Sequence, residues 1–154
     1  HLLHRATRHF TWHCPEGLPP VQGNKQRLEQ VFINLLQNAC QALPDPERAI
    51  TLTVQPPAPG DRVVRILIRD EGIGIPADHL PHLTTPFFTT KRDRGGTGLG
   101  LSISLGILKE HGGDLAFESQ PDRGTTAIIT LPVAPQSGVE KTEAVGHTPP
   151  RINP

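Results

Sequence analysis

Apolar residues recur along this chain with two periods, and the switches between them divide it into elements. Leu28, Val31, Phe32, Leu35, Leu36, Ala39, Ala42 and Leu43 stand three or four apart and form one stripe of a helix. Gly23-Asn24 is a start signal and Pro44 a stop, so the helix should run to Leu43. Further on the period drops to two. Residues 50–55 (ITLTVQ), 62–69 (RVVRILIR), 114–119 and 125–131 alternate as strands do. Residues 56–60 and 120–124 read as turns between them. A second helix is expected over 98–111, ended by Gly112-Gly113. Residues 6–14 alternate weakly and predict an edge strand, and 77–96 are irregular with one helical turn near 78–83. The pattern predicts an α/β two-layer sandwich: a mixed, mostly antiparallel five-stranded sheet with about three helices on one face.

Composition narrows the picture. Fifteen Lys and Arg balance fifteen Asp and Glu, which excludes a nucleic-acid binder acting through bulk charge. The two cysteines cannot form a disulfide framework, and no apolar run reaches the ~18 residues of a membrane span. The cysteine count points to a reduced, cytoplasmic setting for this domain, whether or not its parent protein is anchored in a membrane. Residues 133–154 lack periodicity and are rich in proline, as expected of a flexible tail beyond a folded unit that spans 1–132. A chain that opens at His1 and contains no methionine reads as an excised or processed piece.

Three segments can carry chemistry. The polar face of the first helix holds Gln30, Asn34, Gln37, Asn38 and Gln41, with Glu29 the one charge between Leu28 and Leu43. Amide oxygens ligate hard cations and amide NH2 groups donate to phosphate, although a face covered by another segment also fits this pattern. At Arg69-Asp-Glu-Gly-Ile-Gly-Ile-Pro76 a buried strand runs into a carboxylate and two glycines. Asp70 can accept from an exocyclic amine, and Gly72 and Gly74 let a flat ligand approach; a tight turn capped by Asp70 is the plainer alternative. Gly95-Gly-Thr-Gly-Leu-Gly-Leu-Ser102 opens a helix and offers free backbone N–H groups to an anion. It lacks the lysine of a P-loop and the third glycine of the dinucleotide fingerprint. Between the glycine clusters, PFFTTKRDR combines an apolar pair with cations, as a lid over an anionic ligand would.

In this order, EQVFINLLQNACQAL, RDEGIGIP, PFFTTK and GGTGLGLSIS resemble the N, G1, F and G2 boxes of bacterial sensor histidine kinases. The resemblance covers roughly residues 19–132. It implies the GHKL (Bergerat) nucleotide-binding fold and a catalytic domain that uses ATP and Mg2+. By resemblance, Asn38 ligates Mg2+ with support from Asn34. Asp70 accepts from the adenine amine, and Gly72, Gly74 and Ile75 shape the pocket. Residues 77–95 form an ATP lid, from which Thr90 and Lys91 meet the phosphates. Gly96, Thr97, Gly98, Leu99, Gly100 and Leu101 wrap the phosphate tail, and Phe87 and Phe88 dock the lid or the domain on a helical partner.

Three departures carry meaning. ATPases of this fold place a glutamate four residues before the metal asparagine to activate water; here Asn34 stands there, which implies poor hydrolysis. A basic residue common a turn after the asparagine is replaced by Gln41. The phosphoacceptor box is missing too, since His1 and His4 in HLLHR lack its acidic neighbour, so no catalytic residue of that kind lies in this chain. The implied partners are the kinase's dimerisation and phosphoacceptor helices and a response-regulator receiver domain, with no nucleic acid. The isolated domain is expected to be monomeric, its parent a homodimer. Within the same fold, a serine kinase or ATPase and a non-catalytic nucleotide-binding module are the alternatives.

Overall fold

The computed structural model describes residues 2–86 and 100–135. Its elements are α1 (Leu2–Ala6), β1 (Phe10–His13), α2 (Lys25–Ala42), β2 (Ile50–Gln55), β3 (Val63–Asp70), α3 (Gly100–Glu110), β4 (Asp114–Ser119) and β5 (Thr125–Pro132), with a 3-10 turn at Leu80–His82. The five strands form one open sheet in the order β1-β2-β3-β5-β4. β1 lies parallel to β2, and every other pairing is antiparallel. Fold class and mixed sheet are as the periodicity predicted.

The alternation in β3 and β5 decides which face the helices cover. Val64, Ile66, Ile68 and Asp70 are buried on one side of β3, and Thr125, Ala127, Ile129 and Leu131 on the same side of β5. Against them lie the α2 stripe, through Val31, Leu35 and Ala39, and Ile107 and Leu108 of α3. Val31, Ile50, Ile68, Ile129 and Leu108 exclude solvent almost completely, so the core is one continuous layer between sheet and helices.

α2 begins where its cap dictates. The Asn24 side chain accepts from the Arg27 N–H at 3.1 Å, satisfying one of the first-turn donors. The helix stops at Ala42, where Leu43 turns extended ahead of Pro44. Arg27 pairs with Glu110 at 2.5 Å, and His111 Nε2 accepts from the Asn24 N–H at 3.0 Å, so the start of α2 is bonded to the end of α3.

Most element ends fall within about two residues of the sequence expectation, and the first strand departs furthest. The strand expected over 6–14 is confined to Phe10–His13, because Ala6 closes the short α1 and Thr7, Arg8 and His9 are bonded to the loop after α2. At the other end, Val133 donates to Arg62 and Ala134 to Pro20, both at 2.8 Å, so backbone pairing continues past Pro132. No described helix is long and apolar enough to cross a membrane.

Candidate functional site

The candidate residues gather along one flank of α2. Asn34, Asn38 and Ala42 follow at four-residue spacing, on successive turns, and span about 12 Å of helix at 1.5 Å per residue. Each turn faces a different piece of the chain.

At the first turn, Asn34 meets the start of α3. Its Nδ2 donates to the carbonyl of Gly100 and to the Ser104 hydroxyl, both at 3.2 Å, while its Oδ1 accepts from Gln30 at 2.8 Å. Ser104 is fully buried, so this is an interhelical crosslink, and it pins the first residue of α3 beside the amide face. Leu101, next in α3, packs its side chain against the core. Asn38, half-buried one turn along α2, stands between this junction and the carboxylate at the far end.

At the last turn, α2 meets the end of β3. Asp70 is the final residue of that strand and is 5% exposed, and its Oδ1 accepts from the Gly72 N–H at 2.9 Å. Gly72 fits against α2 only without a side chain: a Cβ there would stand 2.6 Å from both the Ala42 carbonyl oxygen and Asp70 Oδ1. The Ile73 N–H then donates to the Ala42 carbonyl at 3.0 Å, capping an acceptor that the helix end leaves free. Burial pushes the Cys40 thiol up, and the negative charge of Asp70 pushes it further the same way. That thiol is therefore an uncharged neighbour of the carboxylate, and its burial marks the surroundings as poorly solvated.

The turn between β4 and β5 closes the third side. Ser119 Oγ accepts from the Ile75 N–H at 2.8 Å and donates to the Gly124 carbonyl at 2.9 Å, and it lies 2.7 Å from Thr125 Oγ1. The Asp122 N–H donates to the Ile73 carbonyl at 2.7 Å. Gly74, at φ +73°, lies so close to the Gln120 carbonyl that no side chain fits. Thr125 is directly opposite Asp70 in the sheet, and both are buried on the helix side.

Asn34, Asn38, Asp70, Gly72, Gly74, Ile75, Gly100 and Leu101 are thus brought to one flank of the molecule. Phe87, Phe88, Thr90, Lys91, Gly96, Thr97, Gly98 and Leu99 lie outside the described residues. Sequence reasoning missed Ser119 and Thr125, whose hydroxyls brace the glycine loop and flank the carboxylate. Their only signal was a strand that ends in a small polar residue on each side of a turn.

The donor set fits a magnesium–adenine nucleotide. A half-buried asparagine stands in mid-helix, the start of α3 is bonded to the asparagine one turn before it, and a buried carboxylate stands against a loop from which side chains are excluded. The distance from Asn34 to Ala42 suits a ligand that is anionic at one end and flat at the other.

Residues 23–135 match the family described as histidine kinase-, DNA gyrase B- and HSP90-like ATPase. Sporulation kinase E of Bacillus subtilis (strain 168) is 43% identical over 77% of this chain and 15% of its own length. The sensory histidine kinase/phosphatase NtrB of Rhizobium leguminosarum bv. phaseoli is 37% identical over 87% of this chain and 37% of its own. The chain therefore spans well under half of these curated relatives. Among solved structures, the nucleotide-free catalytic domain of histidine kinase ThkA is 34% identical, covers 82% of this chain and 81% of its own, and superposes with a TM-score of 0.70. The chain belongs to the histidine kinase-, DNA gyrase B- and HSP90-like ATPases, and within them to the catalytic ATP-binding domains of sensor histidine kinases.

Proposed function

We propose that this domain binds Mg·ATP along α2 and donates the γ-phosphoryl group to a histidine on a separate helical dimerisation domain, from which an aspartate of a response-regulator receiver domain takes it. The alignment of Asn34, Asn38 and Ala42 supports this reading, because the buried carboxylate and the start of α3 lie at turns of α2 about 12 Å apart, roughly the length of a nucleotide. Asp70 accepts from the adenine amine, and the glycine turn admits the flat ring. Asn38 would hold Mg2+ through its amide oxygen, and the bound ion would supply charge neutralisation at the phosphates. In the transfer, the bond from the γ-phosphorus to the bridging oxygen of ADP breaks and a bond to an imidazole nitrogen forms. Thr90, Lys91 and Gly96 to Leu99 would meet the phosphates, and Phe87 and Phe88 would dock on the helical partner.

The side chain at position 34 supports transfer over hydrolysis. Its amide cannot take a proton from water near neutral pH, and it is already engaged with Gln30, Gly100 and Ser104. The domain then holds ATP without consuming it until a histidine arrives.

Calorimetry and a phosphotransfer assay test this. Asn38→Ala should weaken Mg2+-dependent ATP affinity by about tenfold, the effect of one lost metal ligand, and leave the small Mg2+-free affinity unchanged. The unaltered domain should label a supplied histidine-bearing helical domain from γ-labelled ATP but not itself. Equal affinities for the two proteins remove Asn38 from the metal. ATP binding without transfer to any supplied acceptor supports a non-catalytic binding module instead.

A further inference from the structure

We propose that Glu71 is a positioning residue for the base-reading Asp70, and that the N-terminal segment holds it in place through Thr7. The proposal rests on the nucleotide reading above and deepens it by identifying what fixes the carboxylate.

The ladder between β2 and β3 ends at Ile50 opposite Asp70. The Ile50 N–H points the other way, to the carbonyl of His9 at 3.0 Å. The next pair, Ala49 and Glu71, should therefore exchange both backbone bonds if the antiparallel ladder continued. One of them forms, from the Glu71 N–H to the Ala49 carbonyl at 3.0 Å. The other is replaced: the Ala49 N–H donates to Glu71 Oε1 at 2.7 Å. The carboxylate of Glu71 thus stands in for its own carbonyl. The ladder is completed by a side chain, and the main chain is released to turn immediately after Asp70. That turn brings the Gly72 N–H onto Asp70 Oδ1 and the Ile73 N–H onto Ala42.

Ala49 is itself held from behind. Thr7, 4% exposed, donates its hydroxyl to the Arg48 carbonyl at 2.5 Å and accepts from the His9 N–H at 2.9 Å. The Arg8 N–H donates to Pro46 at 2.8 Å, and the Arg8 guanidinium pairs with Glu47 at 2.6 Å. The strip before β2 is therefore bonded on one side to the residues that follow α1 and on the other to Glu71. The orientation of the Asp70 carboxylate depends on both, and a shift of the N-terminal segment reaches the base pocket through two hydrogen bonds.

The test measures binding of ATP and of purine riboside triphosphate, which lacks the N6 amine, to the full chain and to Glu71→Ala, Glu71→Gln and Thr7→Val variants. The original protein should prefer ATP. Glu71→Ala should reduce that preference about three- to tenfold, the scale of one hydrogen bond, while affinity for the amine-free analogue changes less than about twofold. Glu71→Gln, whose amide oxygen still accepts, should restore the preference. Thr7→Val should act in the same direction, and combined with Glu71→Ala it should add little. An unchanged preference in Glu71→Ala overturns the proposal, as does an equal loss for both nucleotides or a failure of Glu71→Gln to rescue. A lower melting temperature with selectivity intact also overturns it, since that is a purely structural role. If the original protein binds neither nucleotide, the reading of the site fails first and the proposal with it.

Discussion

Gly74 and Gly60 share a positive φ, +73° and +81°, but differ in what surrounds them. Beside Gly60 there is open space, whereas beside Gly74 the carbonyl of Gln120 occupies the volume a Cβ would need. Gly60→Ala should therefore lose only the left-handed preference of glycine, about 1 kcal/mol. Gly74→Ala adds a backbone collision between the glycine loop and the β4–β5 turn, and should cost about 3 kcal/mol or more. Urea denaturation of the two variants measures the difference, and similar midpoints would show that the turn yields freely. The sequence marked both glycines as turn residues and gave Gly74 a role beneath a ligand. It could not show that the loop's first constraint is the backbone of a distant turn. Ser119 and Thr125 were illegible for the same reason: a serine and a threonine in strands are common, and only the pairing of β3 with β5 sets Thr125 opposite Asp70. Asp70 itself was legible because a carboxylate at the end of a buried strand conflicts with its surroundings unless something accounts for it.

α2 combines two roles on adjoining flanks, and these can be separated by substitution. Leu35, 2% exposed, belongs to the stripe packed on the sheet, and Asn38 to the amide flank. Leu35→Ala should destabilise the fold by about 3 kcal/mol through the cavity it leaves, with the nucleotide affinity of the remaining folded protein unchanged. Asn38→Ala should leave the melting temperature nearly unchanged while affecting Mg2+-dependent binding. Thermal melts with and without nucleotide distinguish the two, and a large loss of stability in Asn38→Ala would place that side chain in the fold instead of the site. This helix was the most legible element of the chain. Its cap, stripe and stop lie within one local stretch, so no tertiary knowledge was needed to find Asn24, Leu35 or Pro44. α1 and β1 were the least legible. α1 is five residues long and β1 four, all four of them exposed, and neither has a strong pattern of its own. Their form depends on Thr7, Arg8 and His9 bonding to residues 46–50, a contact that periodicity cannot reveal.

For the molecule as a whole, the sheet order creates a gradient of stability with the site at an intermediate level. β3 and β5 have neighbours on both sides and carry most of the sheet's share of the core, whereas β1 is an edge strand paired only with β2. Opening β1 disturbs little, but opening β3 or β5 exposes the layer beneath α2 and α3. Amide exchange should therefore be slowest in β3, β5 and the middle of α2, and fastest in β1. The glycine loop belongs to neither extreme. It is joined to α2 through Ala42, to the strip before β2 through Glu71, and to the β4–β5 turn through Ser119 and Asp122. A ligand that orders this loop must order its neighbours too, because the Ile73 carbonyl accepts from Asp122 and the Ile75 N–H donates to Ser119. Adding Mg·ATP should slow exchange at residues 72–75 and 120–125 together, while β1 remains as it was. Protection confined to 72–75, with the turn unaffected, would mean that the loop moves on its own and that its bonds to Ser119 and Asp122 do not hold during binding.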